Sequence, residues 1–316
     1  MKLGASTKAI VTGGAGFLGR HIVEALERRG VTPIVPRSQA TDLRDWRATR
    51  DLFMSVKPDL VVHGAWTGGG IGFMRDHPGT IARDNTLMAL HTIEACREAG
   101  VRKYVGIGSV CAYPKFTKTP FLEEDLWKGY PEETNAPYGI SKKMMLVLTQ
   151  AYADEFDFNG VHLLMVNLYG PWDNFDLRSS HVIPAMIRKF LAAKEAGEEQ
   201  VVLWGDGTPT REFIYVSDAA EAVALAAERY DSAEPVNIGS GEEASIEGLA
   251  RMIAKRIGYE GSIVWDTSKP NGQPKRMLDT SKARERFGFS SSVPLDEGLD
   301  RTVSWYLEHG RALWER

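Results

Sequence analysis

The stretch Ala9-Ile10-Val11-Thr12-Gly13-Gly14-Ala15-Gly16-Phe17-Leu18-Gly19 decides the fold. Residues suited to a buried strand run straight into a turn carrying Gly13, Gly16 and Gly19, and a helical pattern follows over 18–29. Such a turn lets the backbone bend sharply, approach a pyrophosphate and pack a helix closely on the strand. The start of that helix offers unpaired N–H groups and a positive dipole end to the phosphates. Alone, a glycine-rich turn is weak evidence. Between a strand and a helix of a βαβ unit it has its required context, so the segment Gly13 to Gly19 is expected to cradle a dinucleotide.

Working outward, short apolar runs at 33–36, 60–63, 104–107 and 162–167 alternate with helical patterns at 46–53, 81–97 and 138–156. That alternation predicts an α/β fold, a Rossmann-type doubly wound parallel sheet covered on both faces. Beyond about residue 169 the rhythm loosens, with strands expected at 201–204, 213–216, 236–238 and 263–265. Helices are expected there at 219–228, 246–257, 281–287 and 295–307. The expected organisation is a dinucleotide-binding domain of residues 1–172, to which about 211–240 return. A smaller C-terminal α/β substrate lobe is made of 173–210 and 241–316.

Composition narrows the function. A formal charge of −4 gives no basic field for nucleic acid, so an anionic ligand must be held by local donors. Cys96 and Cys111 have neither disulfide-framework nor metal-ligand spacing, and no metal site is expected. No apolar run is long enough to span a membrane. A cytoplasmic, reducing location is the expectation.

The run 33–36 is followed by Arg37-Ser38, where an NAD-binding fold would place an acid. A guanidinium there suits a 2′-phosphate and favours NADPH, although Arg37 also reads as a solvated loop charge. Asp42 is a candidate contact for the adenine ring. Tyr138 and Lys142 lie four apart at the start of a long helix, on one face. The ammonium can stabilise a phenolate and draw its pKa toward working pH, so that Tyr138 protonates an alkoxide. Ser109, at a strand end, can hydrogen-bond the same carbonyl oxygen. Taken singly, Cys111 reads as a small buried apolar residue and His181 as a structural hydrogen-bonder. Taken together they form a candidate base and acid for moving protons α to a ketone.

With those residues in place, the chain resembles the GDP-L-fucose synthase family of extended short-chain dehydrogenases/reductases over nearly its whole length. The resemblance rests on Gly13 to Gly19, Gly68-Gly69-Gly70-Ile71-Gly72, Gly108-Ser109-Val110-Cys111-Ala112-Tyr113-Pro114 and Thr134-Asn135-Ala136-Pro137-Tyr138. Asn167-Leu168-Tyr169-Gly170-Pro171, Asp173-Asn174-Phe175-Asp176, Ser180-His181-Val182-Ile183-Pro184 and the segment from Gly205 to Phe213 continue it. It implies a 3,5-epimerase/4-reductase of a GDP-linked 4-keto-6-deoxy sugar that uses NADP(H). Ser109, Tyr138 and Lys142 become the reductase triad, and Cys111 and His181 the epimerisation base and acid. Met165, Val166, Asn167, Leu168, Lys142 and His181 join the cofactor site. Lys189, Trp204, Arg211 and Asn271 fall at the sugar nucleotide, although Trp204 also reads as core and Lys189 as surface charge.

The resemblance further implies a homodimer paired through helices 81–97 and 138–156. Trp66 stands where the family runs small residues, Met165-Val166 where it tends to Pro-Thr, and Asn271 where it has an acid. The alternatives are a C4-reductase of a related sugar such as a heptose, a 4-epimerase that recycles tightly bound NAD, and a silent dinucleotide-sensing protein on the same fold.

Overall fold

The computed structural model describes residues 1–269, 271 and 273–314. Along the first half run β1 (Ala9–Thr12), α1 (Phe17–Glu27), α2 (Trp46–Val56), β2 (Leu60–His63), α3 (Ile71–Asp76), α4 (Pro78–Ala99), β3 (Lys103–Ser109), α5 (Ala136–Phe156) and β4 (Gly160–Met165). The second half adds β5 (Asn167–Tyr169), α6 (Val182–Ala196), β6 (Gln200–Trp204), β7 (Thr210–Tyr215), α7 (Val216–Arg229) and β8 (Val236–Ile238). It closes with β9 (Glu243–Ser245), α8 (Ile246–Ile257), β10 (Ser262–Asp266), β11 (Lys275–Arg276), α9 (Ser281–Phe287), α10 (Leu295–Trp305) and α11 (Arg311–Trp314).

The central sheet has the order β1-β2-β3-β4-β8, every pair parallel. Its strands are buried on both faces and sort their side chains by parity. Ala9, Val11, Leu60, Val62, Val105 and Ile107 join the core beneath α1 and α7. Ile10, Val61 and Tyr104 join the one beneath α2, α4 and α5. The sheet is therefore doubly covered, as the alternation predicts. A third core, from Tyr169 to Tyr306, fills the space among α6, α8 and α10 and the strands β6 and β7. Leu278, Ala283, Phe287 and Phe289 pack instead on the first core.

Local chemistry sets several ends. The Asp45 carboxylate caps α2 by accepting from Ala48 N, and the Ser245 hydroxyl caps α8 through Gly248 N. Gly100 ends α4 in the left-handed conformation.

Two expected strands come out differently. The run 33–36 makes only a single bridge, Ile34 to β1, because Pro36 lacks the N–H that would continue the ladder. The run 162–167 is split between β4 in the central sheet and β5, which crosses to pair with β7.

Candidate active site

The C-terminal ends of the central strands converge, as expected where a parallel sheet binds its ligands. After β1 the cradle closes tightly: a Cβ at Gly19 would stand 2.0 Å from the Gly13 carbonyl oxygen, so only glycine lets α1 begin there. No side chain caps α1 at Gly16, which leaves its first-turn N–H groups open to a phosphate. Arg37 follows the Ile34 bridge and is exposed. The acid after it, Asp42, is gripped by Arg44 at 2.7 Å, which holds its carboxyl below the ordinary range. The Asp42 side chain is thus engaged within the protein.

After β3, the Ser109 hydroxyl accepts from Cys111 N at 3.2 Å and folds the chain into a tight turn. Helix α5 comes down on that turn. A Cβ at Gly139 would stand 2.3 Å from the Cys111 carbonyl oxygen, so glycine is what allows Tyr138 and Cys111 to approach. Lys142, one turn further along α5, is buried with its Nζ 5.6 Å from the centre of the Tyr138 ring. It donates to the Ile107 carbonyl at 2.8 Å, and burial brings its pKa down to about 8.

The phenol behaves differently from the sequence expectation. Burial raises the Tyr138 pKa, the Cys111 charge adds to the rise, and Ser109 takes part of it back. Lys142 is not among the groups that move the Tyr138 pKa in the protein itself; its ammonium donates to the Ile107 carbonyl. Tyr138 therefore keeps its proton at neutral pH, the state a proton donor needs.

The epimerisation pair is spread over two loops. Cys111 shares the turn with Ser109, and the Arg276 guanidinium lies 3.8 Å from its Sγ. His181 immediately precedes α6, half exposed, on a loop fastened by Gly70 N to the Ser179 carbonyl at 2.7 Å. Burial works to lower the His181 pKa, but Asp173 outweighs it and the net direction is up. Met165 and Val166 are buried where β4 gives way to β5; Asn167 Nδ2 donates to the Glu212 carbonyl at 2.8 Å, and Leu168 pairs in register with Ile214.

The expected sugar-nucleotide residues gather mainly at the β6–β7 turn. Trp204 is exposed, with Lys269 Nζ 5.8 Å from its ring centre. Asn271 Oδ1 accepts from Asp206 N at 2.9 Å, and Arg211 donates to the Thr210 carbonyl at 2.7 Å. Lys189 Nζ approaches from α6 and donates to the Val202 carbonyl at 3.2 Å. Arg211 and Arg276 are register partners on β7 and β11. Burial, then the charge of Arg276, brings the Arg211 pKa down to about 10. Two adjacent guanidiniums with no carboxylate partner among the described residues suit an anion.

The sequence of residues 9–239 matches the profile of the NAD dependent epimerase/dehydratase family. The chain belongs to that family. It is 38% identical over 304 residues to "Probable GDP-L-fucose synthase 1" of Oryza sativa subsp. japonica, covering 96% of this chain and 92% of that one. It is 36% identical over 312 residues to "GDP-L-fucose synthase" of Escherichia coli (strain K12), covering 96% and 97%. A GDP-6-OMe-4-keto-L-xylo-heptose reductase from C. jejuni superposes with a TM-score of 0.92 at 26% identity, covering 98% of this chain and 99% of that one.

Within this epimerase/dehydratase fold, sequence reasoning passed over residues that only the fold brings to the site. His63 and His162 share the α5 side of the sheet with Lys142. Burial, then the lysine's charge, pushes both imidazoles to about 3, so they form a neutral polar floor beneath it. Their places on strands gave no signal. Trp66, which the sequence already marked as a bulky departure, lies 5.2 Å from Tyr138, ring centre to ring centre. Arg276 and the buried Glu212, whose carboxylate accepts from Leu278 N at 2.7 Å and Gly241 N at 2.8 Å, bring β11 under Cys111. Arg276 was legible only as a charge near Asn271.

Proposed function

We propose that this enzyme is an NADPH-dependent 3,5-epimerase/4-reductase of a GDP-linked 4-keto-6-deoxy sugar, of the GDP-L-fucose synthase kind. The observation that carries the reading is the thiol of Cys111 in one turn with Ser109 and against Tyr138, a group that a plain ketone reductase has no use for. The relatives described as GDP-L-fucose synthases point the same way. So does a structure titled as a gdp-l-fucose synthetase from Naegleria fowleri bound to NADP, with a TM-score of 0.89 and 28% identity.

Bound NADPH supplies the hydride for C4. The open N-terminus of α1 suits the pyrophosphate and Arg37 the 2′-phosphate. Arg211, Lys189 and Arg276 hold the sugar's diphosphate, Trp204 stacks on the nucleotide, and Asn271 takes a ribose hydroxyl. Cys111 removes a proton from a carbon next to the ketone, and His181 returns one to the opposite face. The carbonyl oxygen, negative while the proton is away, is held by Ser109 and Tyr138. In the reduction step the Tyr138 hydroxyl gives its proton to the oxygen at C4, and Lys142 stabilises the phenolate left behind.

We assign 1–172 and about 211–240 to the dinucleotide domain and 173–210 and 241–316 to the lobe, save the α9 segment. A homodimer is proposed through α4 and α5, where Leu90, Ile140, Met144 and Val147 leave an exposed apolar face. No described helix is long and apolar enough to cross a membrane. A cytoplasmic setting would keep the Cys111 thiol reduced.

The test is solvent deuterium wash-in to the GDP-4-keto-6-deoxy sugar without NADPH. Wild type is expected to exchange at both carbons flanking the ketone. A Cys111→Ser variant should lose exchange, and Tyr138→Phe should lose NADPH oxidation while keeping a slowed exchange supported by Ser109 alone. No wash-in by the wild type at either carbon would leave the C4-reductase reading, which the heptose-reductase likeness and the bulk of Trp66 favour.

A further inference from the structure

The loop 170–176 holds a carboxylate that the mechanism above leaves unused. Asp173 is 2% exposed; its Oδ1 accepts from Asn174 N at 2.7 Å, and its Oδ2 is buried with no hydrogen-bond partner. A buried carboxylate oxygen without a donor is costly, and such groups collect at sites with a task. The cation it faces is His181, whose Nδ1 lies 4.0 Å from Oδ1. At that separation the two form an ion-pair contact rather than a hydrogen bond.

The backbone is held in place for this contact. Trp172 takes φ +69°, uncommon for a bulky residue, and is clamped by Trp305 at 5.1 Å and by Arg20 at 4.4 Å. Asp173 follows it directly and is itself buried. The other charged groups around the loop are engaged elsewhere. Arg178 pairs with Asp176, Arg75 with Asp76, Arg188 donates to the Phe175 carbonyl and Lys189 to the Val202 carbonyl. His21 binds the Pro171 carbonyl. Asp173 is the charge that acts on the imidazole.

We infer that Asp173 is the positioning residue of His181: it engages Nδ1, keeps the imidazolium form, and leaves Nε2–H to serve the sugar. The inference rests on His181 being the proton donor proposed above. The carboxylate moves no proton to substrate itself. It fixes which nitrogen carries the working proton and how much of the enzyme holds it.

The experiment titrates the His181 imidazole by NMR in the full-length protein, wild type against Asp173→Asn. Removal of the opposite charge is expected to move the titration to lower pH by about one unit or more. The alkaline limb of deuterium wash-in should move with it, with about tenfold slower exchange per unit above both pKa values. Asp173→Glu, which keeps the charge, should restore most of the shift.

A His181 titration unchanged in Asp173→Asn overturns the inference. So does a wild-type titration below the ordinary histidine value of about 6.5, which needs no variant to fold. A His181→Asn variant that keeps wash-in refutes the donor assignment instead, and it leaves the NMR comparison to judge the Asp173 contact.

Discussion

Replacing Lys142 by methionine separates the cost of the buried ammonium from its use. Lys142 is 5% exposed, and burial lowers its pKa from 10.5 to about 8. The folded-state value lies below the unfolded one, so between those pH values the unfolded chain binds more protons and folding stability rises with pH. Carried through the linkage relation, the depression costs the native state about 3 kcal/mol near neutral pH and about 1.4 kcal/mol near pH 9.5. Wild type should therefore gain about 2 kcal/mol over Lys142→Met between those conditions.

The lost hydrogen bond to the Ile107 carbonyl and the altered packing are constant offsets that cancel in this difference. Chemical denaturation of both proteins at the two pH values, followed by tryptophan fluorescence, reads it. The same variant should lose about a hundredfold or more of its NADPH-dependent reduction. A wild-type-minus-variant stability difference that does not change with pH would refute the burial argument, whatever the activity.

Arg37→Ala should raise the KM for NADPH by about tenfold or more and leave that for NADH unchanged, since a charged hydrogen bond is worth about 1.5–3 kcal/mol; equal losses with both cofactors would remove Arg37 from the 2′-phosphate. Gly139→Ala must push α5 away from Cys111, whose carbonyl oxygen lies 2.3 Å from the new Cβ. It should cost about 1–3 kcal/mol and slow wash-in and reduction together, and a fully active, equally stable variant would show that the close approach is not needed. Arg211→Ala should weaken sugar-nucleotide binding in calorimetry, with the loss shrinking at high salt; unchanged affinity would move the diphosphate elsewhere.

Much of this protein was written in local sequence. The Gly13–Gly19 cradle, the Tyr138/Lys142 spacing and the parity of β1, β2 and β3 depend on turn geometry and on periodicities of 3.6 and 2, which neighbouring residues fix among themselves. The strand expected at 33–36 shrank to the single Ile34 bridge, since Pro36 lacks the N–H that would continue the ladder.

Other features depend on distances between residues far apart in the chain, and only the folded structure settles them. Tyr138 keeps its proton because burial, with the Cys111 charge, raises its pKa, a desolvation that no spacing encodes. Arg276 reaches Cys111 from across 165 residues through β11, and His63 and His162 arrive beneath Lys142 from separate strands. Sequence determined which groups are available and how the backbone bends beside them. Tertiary structure decided their partners and protonation, since desolvation and charge coupling act through space and not along the chain.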